Sequence, residues 1–135
     1  MKQQNRYYMN AAIELAKQST MEQRHGAIVV NEKCRDRPIV ARGINEHVFN
    51  MEDRKVFSRH AEMSCVASLI AMKGHNSRFF DNCTVFVARV GARDEVRFSK
   101  PCKKCQRLLQ KIGIKKIYYT YDENTVCTLE EWDEL

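Results

Sequence analysis

At 135 residues with 44% apolar content, the chain has the length of one ordinary domain and enough apolar side chain for a core without disulfides. No apolar run approaches the ~20 residues that span a bilayer, and no basic start leads into an apolar stretch. Membrane-spanning and secreted classes are therefore set aside, and a cytoplasmic setting is expected. The net charge of +6 is unevenly laid out: residues 97–116 hold eight basic and no acidic residues, and 122–135 six acidic and no basic ones.

Tyr8, Ala11, Ala12, Leu15 and Ala16 recur at helical spacing, which predicts an amphipathic first helix near residues 5–18. Ala27-Ile28-Val29-Val30 is a short β-branched run, and Pro38–Ile44 a second strand joined to it by a polar hairpin connection. Residues 46–59 lack a clear period and read as a loop. His60–Met72 reads as an apolar helix with Met63, Val66, Ala67 and Ile70 inward, closed by Lys73 and Gly74.

Thr84–Ala88 shows no alternation, the mark of a strand buried on both faces. After a loop over 91–100, Pro101 is expected at the first position of a helix that turns Leu108, Leu109 and Ile112 inward and ends at Gly113. Lys116–Tyr121 is a further strand. Too few residues follow for a parallel crossover. Either Glu123-Asn124 turns a hairpin into Thr125–Thr128, the preferred reading, or Leu129–Leu135 forms a closing helix. Trp132 would then pack as an apolar plug. The order α-β-β-α-β-α-β predicts an α/β fold: a three-layer α/β/α sandwich with a mixed four- to five-stranded sheet.

Six cysteines are present, but Cys34, Cys65, Cys83 and Cys127 are scattered singly, which fits free thiols in a reducing compartment. Cys102 and Cys105 differ. They form Pro101-Cys102-Lys103-Lys104-Cys105, some forty residues after His60-Ala61-Glu62. H-x-E alone is unspecific. A lone C-x-x-C is equally a redox pair or half of a structural zinc site. Together they supply three ligands for one zinc ion, His60, Cys102 and Cys105, and one carboxylate, Glu62, left to move protons. Three protein ligands leave a position open, the pattern of a catalytic site.

H-x-E followed by P-C-x-x-C resembles the zinc-dependent cytidine/deoxycytidylate deaminase superfamily over roughly residues 5–121. The resemblance implies Zn2+ as cofactor and Glu62 as proton shuttle. It implies hydrolytic deamination of a cytosine nucleoside or nucleotide, in pyrimidine salvage or thymidine nucleotide supply, by a homo-oligomer. It also implies substrate contacts from the amide of Ala61, the side chain of Asn45 and the carbonyl of Lys100. Asn45 is equally readable as a turn former. Lys100 departs from the Ser, aromatic or acidic residue that family members carry before Pro-Cys, so the base and sugar stay open. A polynucleotide-editing deaminase is the second expectation, resting on the basic block and on Phe49, Phe57 and Phe98 in presumed loops. A non-enzymatic binding relative is the third, opposed by the intact Glu62. His25, His47 and His75 are read as structural or solvated.

Overall fold

The computed structural model describes residues 3–74 and 77–130. Trp132, His75 and most of the alternative closing helix lie outside the described residues. Helix α1 (Gln3–Ala16) is followed by strands β1 (Arg24–Asn31), β2 (Ile39–Ile44), β3 (Glu46–Asn50) and β4 (Lys55–Arg59). Helices α2 (Ala61–Lys73) and α3 (Ser77–Asp81) come next, then β5 (Cys83–Val90) and β6 (Val96–Arg97). Helix α4 (Lys103–Ile112), β7 (Lys116–Thr120) and β8 (Val126–Glu130) are the last elements among the described residues.

The main sheet runs β2-β1-β5-β7-β8, with the short β6 paired to β5. Among the described residues only β5 and β7 run parallel, joined through α4; the other neighbours are antiparallel. This is the mixed sheet expected, on a five-strand path. The preferred C-terminal reading holds as well. Asp122–Thr125 turns the chain and β8 pairs back along β7, Tyr119 facing Cys127.

Two cores flank the sheet, which makes three layers. On one face α1 buries Tyr8, Met9 and Ala12 against Ile28, Val30, Phe86 and Ala88. On the other, Ala61, Cys65 and Leu69 of α2 and Leu109 of α4 pack on Ala27, Val29, Val85, Val87 and Ile117. Alternate residues of β1 thus serve opposite layers, as the two-residue strand period demands. Each fully buried Val, Leu, Ile, Phe or Met among them stabilises the fold by roughly 1.5–3 kcal/mol. Phe86 stacks on Tyr118 at 4.9 Å, and Asn5 Nδ2 donates to the Tyr118 hydroxyl at 3.1 Å, which ties α1 across to β7.

Several local expectations are corrected. The presumed loop at 46–59 is a β-hairpin, β3 paired with β4 from Glu46↔Arg59 to Asn50↔Lys55. The presumed loop at 91–100 contains β6. Pro101 is not the first helical residue; the helix begins at Lys103, with Cys102 as its N-cap. Ala67 and Leu108 are exposed, while Cys65 and Leu69 fill the seam assigned to Ala67. The helix ends stand as expected. Gly74 N donates to Ile70 O at 2.8 Å, and Gly113 adopts φ 110°, a left-handed cap that suits glycine.

Candidate metal centre and active-site cleft

Helices α2 and α4 begin at the same end of the sheet. His60 is the N-cap of α2 (φ −68°, ψ 153°) and Cys102 the N-cap of α4 (φ −65°, ψ 160°). Both have extended backbone, and neither side chain caps its own helix. Both side chains are therefore free to act as donors beyond the helix ends, where two sets of helix amides and two positive dipole ends converge. This favours negative charge, thiolate or carboxylate, at that point.

The donor atoms of His60, Cys102 and Cys105 lie within 4.8 Å of one another. His60 Nδ1 faces Cys105 Sγ at 3.1 Å. A tetrahedral zinc site with Zn–N near 2.05 Å and Zn–S near 2.3 Å places its donors about 3.6–3.8 Å apart, between these two distances. One imidazole and two sulfurs are also the donor chemistry of a zinc site. The residues fit the ion. Burial, and then the nearby Glu62 carboxylate, push the Cys105 thiol up. A bound cation reverses that balance, because a coordinating thiol is deprotonated outright.

Glu62 sits in the first turn of α2, 4% exposed, with Oε1 3.9 Å from His60 Nδ1. Two residues apart, the pair would diverge inside a helix. At the N-terminus both side chains reach past the helix end into one space. Burial pushes the Glu62 carboxyl up, opposed by its own backbone amide and by His60. A carboxyl displaced in this direction suits a group that must both accept and return a proton.

A cleft of about 490 Å³ opens over this centre, lined by Met21, Glu22, Gln23, His25, Asn45, His47, Ser58, Arg59, His60, Glu62, Ser99, Lys100, Pro101 and Cys102. The volume lies in the range of small-molecule sites. Asn45 lines it as a brace. Its Oδ1 accepts from Ser19 Oγ (2.7 Å) and from His25 N (2.9 Å), and its Nδ2 donates to Gln23 O (2.5 Å). One Nδ2 hydrogen is left over. Lys100 lines the cleft, whereas Ala61 is fully buried and can offer only its backbone amide. Of the basic block, Lys100 alone lines the cleft; Lys115 pairs with Asp81 at 2.6 Å.

The segment carrying Lys100 and the cysteines is fixed by buried polar groups that the sequence reading did not single out. Ser99 Oγ donates to Val87 O (2.9 Å) and accepts from Thr120 N (2.8 Å), while Thr120 Oγ1 donates to Arg97 O (2.7 Å). Buried Gln106 donates from Nε2 to Pro101 O at 2.7 Å, pinning the turn that presents Cys102. Arg59 was also missed. It abuts His60, lines the cleft, and stands 4.0 Å from Glu46 Oε1. Its place next to the zinc-motif His was the one available signal. His25 and His47, read as structural or solvated, both line the cleft. Burial, above all, holds His25 down at about 4, so it is neutral near pH 7.

The family described as "Cytidine and deoxycytidylate deaminase zinc-binding region" matches residues 2–121, and the chain belongs to that family. No curated protein matches it.

Proposed function

We propose that this member of the zinc-binding deaminase family hydrolyses a cytosine nucleoside or nucleotide to its uracil form with release of ammonia. The observation that carries the reading is the buried Glu62 carboxylate, set beside three converged metal donors at the floor of a nucleoside-sized cleft. His60, Cys102 and Cys105 would hold Zn2+, which when bound would bring the pKa of a water down to about 7. Glu62 accepts one proton from the attacking water and passes it to the ring nitrogen; it then accepts the second from the hydroxyl now on the ring carbon and passes it to the amine, which leaves as ammonia while that oxygen becomes the carbonyl of the uracil form. The burial of Glu62 keeps bulk water from levelling these transfers.

The base is held from three sides. The free N–H of Asn45 Nδ2 and the amide of Ala61 donate, and the carbonyl of Lys100 accepts from the exocyclic amine. Arg59 and Lys100 line the cleft, and their positive charge favours a phosphate-bearing substrate over a neutral one. The enzyme acts as one domain, in the cytoplasm, as a homo-oligomer. Among the described residues, no helix is long and apolar enough to cross a membrane.

A second reading, a polynucleotide-editing deaminase, is favoured by one observation. Phe98 and Tyr121 form an exposed edge-to-face pair at 5.6 Å, two residues from Lys100, on which an unpaired base could stack. The test is ammonia release with ultraviolet confirmation on cytidine, deoxycytidine, CMP, dCMP, dCTP, adenosine and guanine, with Glu62→Ala as control. Turnover of one cytosine compound supports the reading. Silence from zinc-loaded protein overturns it, and RNA is then tested.

A further inference from the structure

The β3–β4 hairpin joins two parts of the site: Asn45 precedes it and His60 follows it. It is also the most exposed apolar feature among the described residues. Phe49, Met51, Val56 and Phe57 are 54%, 80%, 62% and 45% exposed. The register places Phe49 opposite Val56 and Val48 opposite Phe57, so each face of the ribbon carries an apolar pair. A two-stranded sheet is marginal alone in water and needs a third strand or a covered face. The outer edge of β3 meets no strand among the described residues. That edge, Glu46-His47-Val48-Phe49-Asn50, carries no lysine or proline to discourage pairing.

We infer that β3 is a dimer seam: it pairs antiparallel with β3 of a second copy about a two-fold axis at Val48. The result is a four-stranded sheet, with β4 at both outer edges. Charge selects this edge. With all five residues paired about Val48, Val48 faces its own counterpart, His47 faces Phe49 of the partner subunit, and Glu46 faces Asn50 of the partner subunit. No like charges are opposed. The same operation on β4, centred on Phe57, sets Lys55 against Arg59 of the partner subunit, a like-charge pair that costs stability. The symmetry is isologous and closes at two copies.

The seam has a consequence for the cleft. Directly facing residues share a sheet face, with Cβ atoms about 4.5–5.5 Å apart. His47 lines the cleft. Phe49 of the partner subunit therefore stands beside it and adds a second aromatic ring to the ribbon face that lines each cleft.

Sedimentation velocity on the full zinc-containing chain tests the seam without reference to activity, so its failure is separate from failure of the deaminase reading. Wild type is expected to sediment as a dimer at tens of micromolar. Val48→Lys is expected to sediment as a monomer with an unchanged circular dichroism spectrum. Lys55→Glu, at the outer edge, keeps the dimer. Position is checked with Val48→Cys and Asn50→Cys, using oxidised glutathione as oxidant. Facing residues at the axis have Cα atoms about 4.5–5.5 Å apart, within disulfide reach, so Val48→Cys forms a covalent dimer on a non-reducing gel. Asn50→Cys behaves as wild type. A monomeric wild type, a dimer untouched by Val48→Lys, or equal cross-linking of the two cysteine variants overturns the inference.

Discussion

Gly43 is where β2 meets the first turn of α2, and it offers a perturbation whose size can be worked out in advance. A Cβ at Gly43 would lie 2.6 Å from Ala61 O, 3.0 Å from Ser64 Cβ and 3.1 Å from Cys65 N. Ordinary contact begins at 3.4 Å, so strand and helix must separate by roughly 0.8 Å (3.4 minus 2.6). The obstacle is backbone and cannot swing aside. The displaced carbonyl lies between His60 and Glu62, so donor and proton shuttle shift together relative to Cys102 and Cys105. Misplacement of about 1 Å at a reacting centre costs about 10²-fold in rate. Gly43→Ala is therefore expected to lower kcat about 30- to 100-fold and to weaken zinc binding. Overpacking costs about 1–3 kcal/mol. At this chain length that corresponds to a fall of roughly 4–12 °C in Tm. Gly26→Ala is the control. Its Cβ would meet Ala12 O and Ala16 N, both at 2.4 Å, on the α1 face of the sheet. It should lose at least as much Tm while keeping zinc and rate per folded molecule. A Gly43→Ala enzyme with lowered Tm but wild-type kcat and zinc content would show that this strand–helix contact does not set the position of His60 and Glu62.

Three further outcomes are expected. His25 titrates at 6.5 when free and at about 4 when folded, so the unfolded chain binds the extra proton between these values. Its contribution, up to about 3 kcal/mol, is complete above pH 6.5 and is lost as pH falls through 4. Urea midpoints at pH 7 and pH 4.5 should drop less in His25→Gln than in wild type, and equal drops would count against it. Gln106→Leu removes the donor to Pro101 O and should weaken zinc affinity about 10- to 100-fold in a chelator competition, with unchanged affinity as the contrary result. Burial pushes the Cys65 and Cys83 thiols up to about 12, whereas Cys102 is exposed. Iodoacetamide should therefore modify Cys102 first in chelator-treated protein and spare it when zinc is present; earlier modification of Cys65 would contradict this.

What could be read from the chain alone follows from the range of the interactions involved. The metal donors were legible because their spacing is local to two helix starts, and the capping glycines because the requirement for positive φ is a property of one residue. The hairpin was not. Its strands are five residues long, polar at the ends and apolar on both faces, so no period emerges; Val48-Phe49 and Val56-Phe57 about a short turn were the signal available. Leu108 and Ala67 were misplaced because helical spacing gives a stripe but not its rotation, which is set by whichever side chains the sheet accepts. The bracing of Asn45 by Ser19 joins residues 26 apart and arises only in the folded chain. The same holds for the Ser99–Thr120 pair, which fixes the approach to Lys100.

Glu62 is proposed to move protons and not to hold the metal. Zinc content and ammonia release, measured on one preparation each of wild type and Glu62→Ala, test it most directly. One zinc per chain is expected in both, with turnover of the preferred cytosine substrate lowered about 10²- to 10⁴-fold in the variant. A zinc-loaded Glu62→Ala enzyme with near wild-type turnover, or a variant that has lost its zinc, would contradict it.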